Sequence, residues 1–289
     1  MPATTTEFRR LIDGTEPVYA PLVFNPISAL LAQAAGFRAL YLGGGSLGYI
    51  KAGTEANLSL TEMAQAALDI RTVCPLPLIL DGAAGWGDPM HVRRSIHQSE
   101  AAGFAAIEIE DQILPKRAHH HIGREHMVAS ELMEAKIRAA VEARRDPDFV
   151  IIGRTNAVRN TGLDDAVRRA EAYKKAGADI LYVSGRKPED IRFLGERLSA
   201  PLMFMAGAGG LASGQMTRAD LYRLGYRLIV DPTTPLMAAH KALRQCYAAL
   251  AHDEPDPLLA AEAGKEQAIV HETIDLETML EIERQTVEK

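Results

Sequence analysis

The residues best suited to chemistry cluster in one short stretch. Residues 107–117 read IEIEDQILPKR, and Ala118, His119, His120 and His121 follow directly. The apolar–acidic alternation is that of a strand delivering carboxylates, Glu110 and Asp111, at its C-terminal end. Beyond it, Pro115 roots a short cationic, histidine-rich loop that carries Lys116. Carboxylates able to hold a hard cation, beside a loop able to bring a lysine and imidazoles over it, suit reactions of a small anionic substrate. Three other stretches add to the set: Asp81 in LDGAAGWGD, Arg154 and Asn156 in IIGRTNA, and the run Gly43, Gly44, Gly45, Ser46. The glycines matter because their backbone N–H groups can approach an anion with no side chain in the way.

Such residues need a scaffold that gathers them. Extended apolar runs recur at 18–24, 39–42, 76–80, 105–109, 149–152, 180–183, 202–205 and 227–230, with a helical pattern after each. Helix starts carry caps, Asn25 before Pro26 and Ser59 with Glu62 three residues on. Helix ends carry a glycine just before the next strand, at Gly36, Gly103, Gly177 and Gly225. Eight strand-then-helix units predict an α/β protein, a (β/α)8 TIM-type barrel spanning residues 1–252 as one domain. In that fold, catalytic groups sit at the C-terminal ends of strands, where the glycine run, Asp81, Glu110 and Arg154 all fall. Residues 253–289 form an acidic, helix-rich tail beyond a proline-containing linker at 255–257. Its apolar positions Ile274, Leu276, Met279, Leu280 and Ile282 suit packing on a neighbouring subunit.

Composition excludes several function classes. The formal charge of −6 and the absence of any basic block beyond pairs such as Lys174 with Lys175 argue against a nucleic-acid surface. No apolar run approaches the ~18 residues of a membrane span, and the N-terminus lacks the apolar core of a secretory signal. Cys74 and Cys246 lie far apart without metal-site spacing and read as free thiols in a reducing, cytoplasmic setting. Four nearby histidines (His119, His120, His121 and His126) read better as a solvated or substrate-facing loop than as a transition-metal cluster. Trp86 reads as a rim packing residue, and Asp111 as a cap or ion-pair partner of Lys116 or Arg117.

From residue 21 to 251 the chain resembles the isocitrate lyase/phosphoenolpyruvate mutase superfamily. The shorter bacterial members provide the match, including methylisocitrate and dimethylmalate lyases and oxaloacetate decarboxylases. The likeness rests on NPISALLAQAAGFRALYLGGGSLG, LDG-x-x-GWGD, IEIEDQ-x-x-PKR and GRTNA. It implies a barrel whose terminal helix swaps between subunits of a homotetrameric dimer of dimers. It also implies Mg²⁺, or Mn²⁺, chelated by a small 2-oxo or 2-hydroxy carboxylate. Carried over residue by residue, Asp81 would bind the metal directly and Glu110 through water. Gly44 and Gly45 would cradle the substrate carboxylate, Lys116 would be the lysine of the gating loop, and Arg154 would steady negative charge.

Departures from the family pattern are as informative. Ala83 stands where a second acid is usual, and Glu55 is the nearest candidate for a further acid whose register falls near Ala56. Ala118 and His119 replace the loop's Cys and Gly, while His120 keeps the register of its His. Ser184 replaces a Glu after strand six, and Ala206 or Gly207 an Asn after strand seven. The expected reaction is therefore carbon–carbon bond cleavage through an enolate, with His120 or His119 as the proton donor in place of the thiol. Oxaloacetate-type decarboxylation is the alternative, ahead of phosphonate chemistry and a barrel that binds a metabolite without turning it over.

Overall fold

The computed structural model describes residues 4–185, 187–199 and 201–288. Eight strands form where the apolar runs predict them. They are β1 (Val18–Pro21), β2 (Leu40–Leu42), β3 (Leu78–Asp81), β4 (Ala106–Glu110), β5 (Val150–Thr155), β6 (Ile180–Val183), β7 (Leu202–Met205) and β8 (Tyr226–Asp231). All pair in parallel in the order β1-β8-β7-β6-β5-β4-β3-β2. A parallel bridge from Leu22 to Tyr41 links β1 to β2, bringing the sheet round into a (β/α)8 barrel.

Helix α1 (Thr4–Ile12) precedes β1, and α2 (Pro26–Ala34) follows it. After β2 come α3 (Gly44–Ile50) and α4 (Leu60–Arg71). Then α5 (Pro89–Ala101), α6 (Ser130–Ala143), α7 (Leu163–Lys175), α8 (Pro188–Arg197), α9 (Arg218–Arg223) and α10 (Thr234–Leu250) alternate with the strands. The caps form as their sequences imply: Asn25 accepts from the Ser28 N–H at 2.9 Å, and the Ser59 N–H donates to Glu62 at 2.9 Å. Gly36, Gly103, Gly177 and Gly225 all take the left-handed conformation that closes a helix.

Strand alternation divides the core in two. One face, with Leu80, Ile107, Ile109 and Ile151, packs outward against helices. The other, with Ile79, Ile152, Ile180, Met203 and Val230, fills the barrel. That inner cluster also contains Phe8, Leu11 and Ile12 of α1, all buried. Arg9 bonds the backbone carbonyl of Asp148 and pairs with Asp179, residues that lead into β5 and β6, so α1 stoppers the N-terminal end of the barrel. The sequence pattern does not reveal this helix, because its apolar residues are few and spread over a nine-residue segment.

The tail behaves differently from the barrel. Helix α10 buries only Ala249, and α11 (Ala263–Thr273) and α12 (Leu276–Thr286) bury no residue. Met279 and Ile282 are each more than half exposed. No helix among the described residues is long and apolar enough to cross a membrane.

Candidate active site

Period-two alternation on the strands brings the chemistry to the upper rim of the barrel. In the sheet register Asp81 lies beside Glu108, Glu110 beside Arg154, and Arg154 beside Tyr182. Glu108 and Glu110 are two residues apart on β4, so both point inward, one layer below the other. Glu108 accepts from the Tyr41 hydroxyl at 3.1 Å and from Arg154 at 2.6 Å. Glu110 pairs with Arg154 Nε at 3.1 Å, accepts from Asn156 Nδ2 at 2.9 Å, and is in contact with Lys116 Nζ. Asn156 also accepts from Arg154 Nε at 3.2 Å, bracing acid and cation together.

Glu55 completes the cluster. Its Oε1 lies 2.6 Å from Lys116 Nζ and 2.6 Å from His120 Nε2. Local backbone explains how it arrives. The turn at Glu55–Asn57 folds directly against α3, and a Cβ on Gly48 would lie 2.5 Å from the Thr54 carbonyl carbon, so only glycine admits the approach. Glu55, one residue before the register near Ala56 where the resemblance expects an acid, is thus the acid that this turn brings to the site.

The glycine run differs from the open anion cradle expected of it. Residues Gly44, Gly45 and Ser46 form the first turn of α3, with Gly43 as its cap. The Gly44 N–H donates to Asp81 Oδ2 at 3.0 Å, and Ser46 donates to the Pro232 carbonyl at 2.5 Å. Three glycines in succession have poor helix propensity, which hides this helix in the sequence. The second oxygen of Asp81 accepts from the Ala83 N–H at 3.1 Å. A Cβ on Gly44 would stand 3.2 Å from Glu55 Oε2 and 3.4 Å from Asp81 Oδ2, which places these two carboxylates on either side of the helix start.

Not every expected residue reaches the site. His119 is exposed and turned to His126, its Nδ1 3.0 Å from His126 Nε2. The loop coils as a short 3-10 turn over Ala118–Ile122, which turns His119 away from His120, while the His120 and His121 rings lie together with centroids 3.9 Å apart. His121 lies 3.0 Å from the Tyr49 hydroxyl. Asp111 points away from Lys116 and Arg117 and accepts instead from Thr155 at 2.7 Å, Tyr173 at 2.8 Å and Arg169 at 3.3 Å. Trp86 packs at the rim and donates to the Leu58 carbonyl at 3.1 Å. Glu55 and Glu108 are the site residues that motif spacing alone does not single out. The IEIE alternation carried the signal for Glu108, since it faces the same way as Glu110.

Charge and burial compete throughout. Burial pushes the Glu110 carboxyl up, but Arg154 and Lys116 outweigh it and hold the group below its ordinary value. Burial likewise opposes ionisation of Glu55, and Lys116 and His120 overcome it. Asp81 goes the other way: burial, then repulsion from Glu55, raises it. Glu108 is pushed up to about 7, chiefly by burial, with Arg154 opposing and Asp81 reinforcing. Burial alone would lower the Lys116 and His120 values, yet their acid partners raise both. His120 has a geometric reason to carry a proton on each nitrogen. Its Nδ1 lies 2.7 Å from the Arg117 carbonyl while Nε2 faces Glu55, and only the imidazolium satisfies two acceptors.

In chemistry the donors suit a hard divalent cation, but among the described residues no three acid, histidine or cysteine groups are drawn together closely enough to hold one. Asp81 and Glu110 are buried oxygen donors and Glu55 is a half-buried one, and two of the three already enclose a cation, the Lys116 ammonium. The four loop histidines pair off with other groups and supply no softer alternative.

The phosphoenolpyruvate phosphomutase family matches residues 8–251. This chain belongs to that family. A 2,3-dimethylmalate lyase of Eubacterium barkeri is 34% identical over 87% of this chain and 87% of its own. A 2-methylisocitrate lyase of Aeropyrum pernix is 38% identical over 81% of this chain and 75% of its own. The solved structure of a phosphonopyruvate hydrolase in complex with oxalate and Mg²⁺ superposes with a TM-score of 0.84 at 29% identity, covering 99% of both chains. Family membership makes the chain an enzyme of the isocitrate lyase/phosphoenolpyruvate mutase superfamily, and the Eubacterium barkeri and Aeropyrum pernix relatives are named as lyases.

Proposed function

We propose that this chain is a metal-dependent carbon–carbon lyase acting on a small 2-hydroxy- or 2-oxo-carboxylate through an enolate. The observation that carries the reading is the cluster in which Glu55 and Glu110 both hold Lys116, Asp81 lies near Glu55 at the start of α3, Arg154 pairs with Glu110 and His120 with Glu55. Mg²⁺ or Mn²⁺ bound by Asp81 and Glu110, with Glu55 beside them, would supply Lewis-acid stabilisation of developing negative charge. Arg154 and Lys116 add fixed positive charge where the enolate oxygen forms. A cluster carboxylate takes the substrate hydroxyl proton, that oxygen becomes the carbonyl of the 2-oxo acid product as the carbon–carbon bond breaks, and the electrons of the broken bond pass to the carbon beside the other fragment's carboxylate as its enolate. The His120 imidazolium then returns a proton to carbon, the task the missing loop thiol would perform. Loop residues 116–120 cover the reacting atoms and keep water from quenching the enolate.

Relatives carry both lyase and oxaloacetate decarboxylase names at similar identity, and it is the positioned imidazolium that favours cleavage over decarboxylation. The test is release of a 2-oxo acid from 2,3-dimethylmalate and 2-methylisocitrate, followed by a coupled dehydrogenase. Turnover should require Mg²⁺ or Mn²⁺ and stop on chelation. No metal-dependent turnover of any 2-hydroxy or 2-oxo diacid would leave the reading without support. Carbon dioxide from oxaloacetate, with no cleavage of the malates, would turn it towards the decarboxylase.

Assembly belongs to the same proposal. The exposed apolar positions of α10 to α12 are suited to cover by another copy in a helix-swapped homotetramer, since soluble proteins rarely leave such faces in water. Light scattering on the full chain should give a dimer or tetramer, and removal of residues 253–289 should lower that mass. A stable monomer at micromolar concentration would count against it. The expected setting is cytoplasmic, with a small carboxylate as the partner and neither nucleic acid nor membrane involved.

A further inference from the structure

Beside the charged cluster, over the C-terminal ends of β6, β7 and β8, lies a cavity of about 790 Å³. That is ample for a drug-sized molecule and several times what a three-carbon acid fills. Its walls are mainly apolar, with Phe204, Met205, Ala206, Ile191, Leu211 and Met216 prominent. The described lining holds no carboxylate, and its one cation, Lys187, is exposed.

Two contacts join this cavity to the charged cluster. Tyr182 lines it, and the Arg154 guanidinium carbon lies 5.1 Å from the centre of that ring. Pro232 lines it as well, and the Pro232 carbonyl accepts from Ser46 at the start of α3. A ligand whose carboxylate is held near Arg154 and Lys116 therefore has one roomy direction to extend, across Tyr182. Ser184, on the same strand face as Tyr182, buries a hydroxyl with no hydrogen-bond partner among the described residues. Ser184, and Ala206 or Gly207, stand where the family resemblance places a Glu and an Asn, so larger polar groups give way to small ones on this side.

We propose that the β6–β8 cavity is the specificity pocket of the enzyme and takes an uncharged, mainly apolar group of several carbons carried by the substrate beyond its reacting carbons. The inference rests on the proposed 2-oxo or 2-hydroxy acid head at the charged cluster. Apolar walls reward removal of alkyl or aryl surface from water. Among the described residues of its lining, a second carboxylate placed there would find no buried cation in exchange for its lost hydration.

The test is calorimetric binding to the full chain with Mg²⁺, using oxalate, pyruvate, 2-oxobutanoate, 2-oxohexanoate and 2-oxoglutarate. Affinity should rise about fourfold per added methylene from pyruvate to 2-oxohexanoate, the worth of one buried CH₂. Affinity for 2-oxoglutarate should be no better than for pyruvate. A Cβ on Gly207, in the cavity wall, meets nothing within 4 Å, so Gly207→Leu can place a side chain there. That substitution should flatten the series onto the pyruvate value. Oxalate bound but a flat wild-type series, or 2-oxoglutarate binding tighter than 2-oxohexanoate, overturns the pocket alone. Failure to bind oxalate at all overturns the head-group reading and the pocket with it.

Discussion

The two halves of the barrel rim are built on opposite principles. Over β2 to β5 every carboxylate has a partner: Asp81 accepts two backbone N–H groups, Glu110 pairs with Lys116 and Arg154, and Glu55 with Lys116 and His120. Over β6 to β8 there is a large cavity with apolar walls. Buried charge is costly unless paired, so a charged half must be organised before any ligand arrives. An apolar wall needs no partner and can be left open at little cost. The chemistry of the head group is therefore fixed by residues that constrain one another. The other half can change by single substitutions, as Ser184 and Ala206 illustrate.

The hardest way to break the contrast is to remove the keystone of the charged half. Asp81→Ala should abolish metal-dependent turnover, a loss of about a thousandfold or more, on the scale of a preorganised electrostatic group. Circular dichroism and the thermal midpoint should report an intact fold. Full activity in the variant would separate Asp81 from the chemistry. Next comes the loop. His120→Gln should reduce kcat by about two to four orders of magnitude while KM changes little, the usual worth of a positioned acid. His119→Gly should be much milder, because His119 faces His126 in solvent. Lys116→Ala should hurt both parameters, since it strips the cation from between Glu55 and Glu110. Equal, wild-type kinetics in both histidine variants would return the proton-donor role to solvent.

The smallest effect is a pH dependence. The folded-state value of His120 is raised, because the Glu55 carboxylate outweighs burial. Its ion pair with Glu55 is therefore complete below the ordinary histidine range and is lost as pH rises through the elevated value. Lys116 and His121, which also face this pair, do not reverse that sign. A kcat profile should show an alkaline limb displaced above the ordinary histidine range, and His120→Gln should lack it. An identical limb in the variant would assign it to another group.

Much of this was legible in the sequence, and the exceptions have physical reasons. Strands and helices were readable because eight buried parallel strands appear as apolar runs, and β6 and β7 lie where those runs do. Asp81, Glu110, Arg154 and Lys116 were readable because a barrel concentrates function at strand ends. Helix α3 was not, since its glycines lack propensity and its formation depends on Asp81 and on Pro232 across the rim. Glu55 was visible only as a near miss in register, because its place depends on how closely a turn packs on Gly48. The diverging directions of His119 and His120 depend on a single 3-10 turn, which three identical letters cannot reveal.

Helix α1 has a consequence for traffic. With Phe8, Leu11 and Ile12 packed under the side chains that fill the barrel, its N-terminal end is closed and only the rim faces a ligand. Glu108 lies below Glu110, and the loop carrying Lys116 and His120 lies across the rim. Any ligand of the proposed site therefore arrives and leaves on one side of the molecule, past that loop, and the loop's opening is a toll on every passage in either direction.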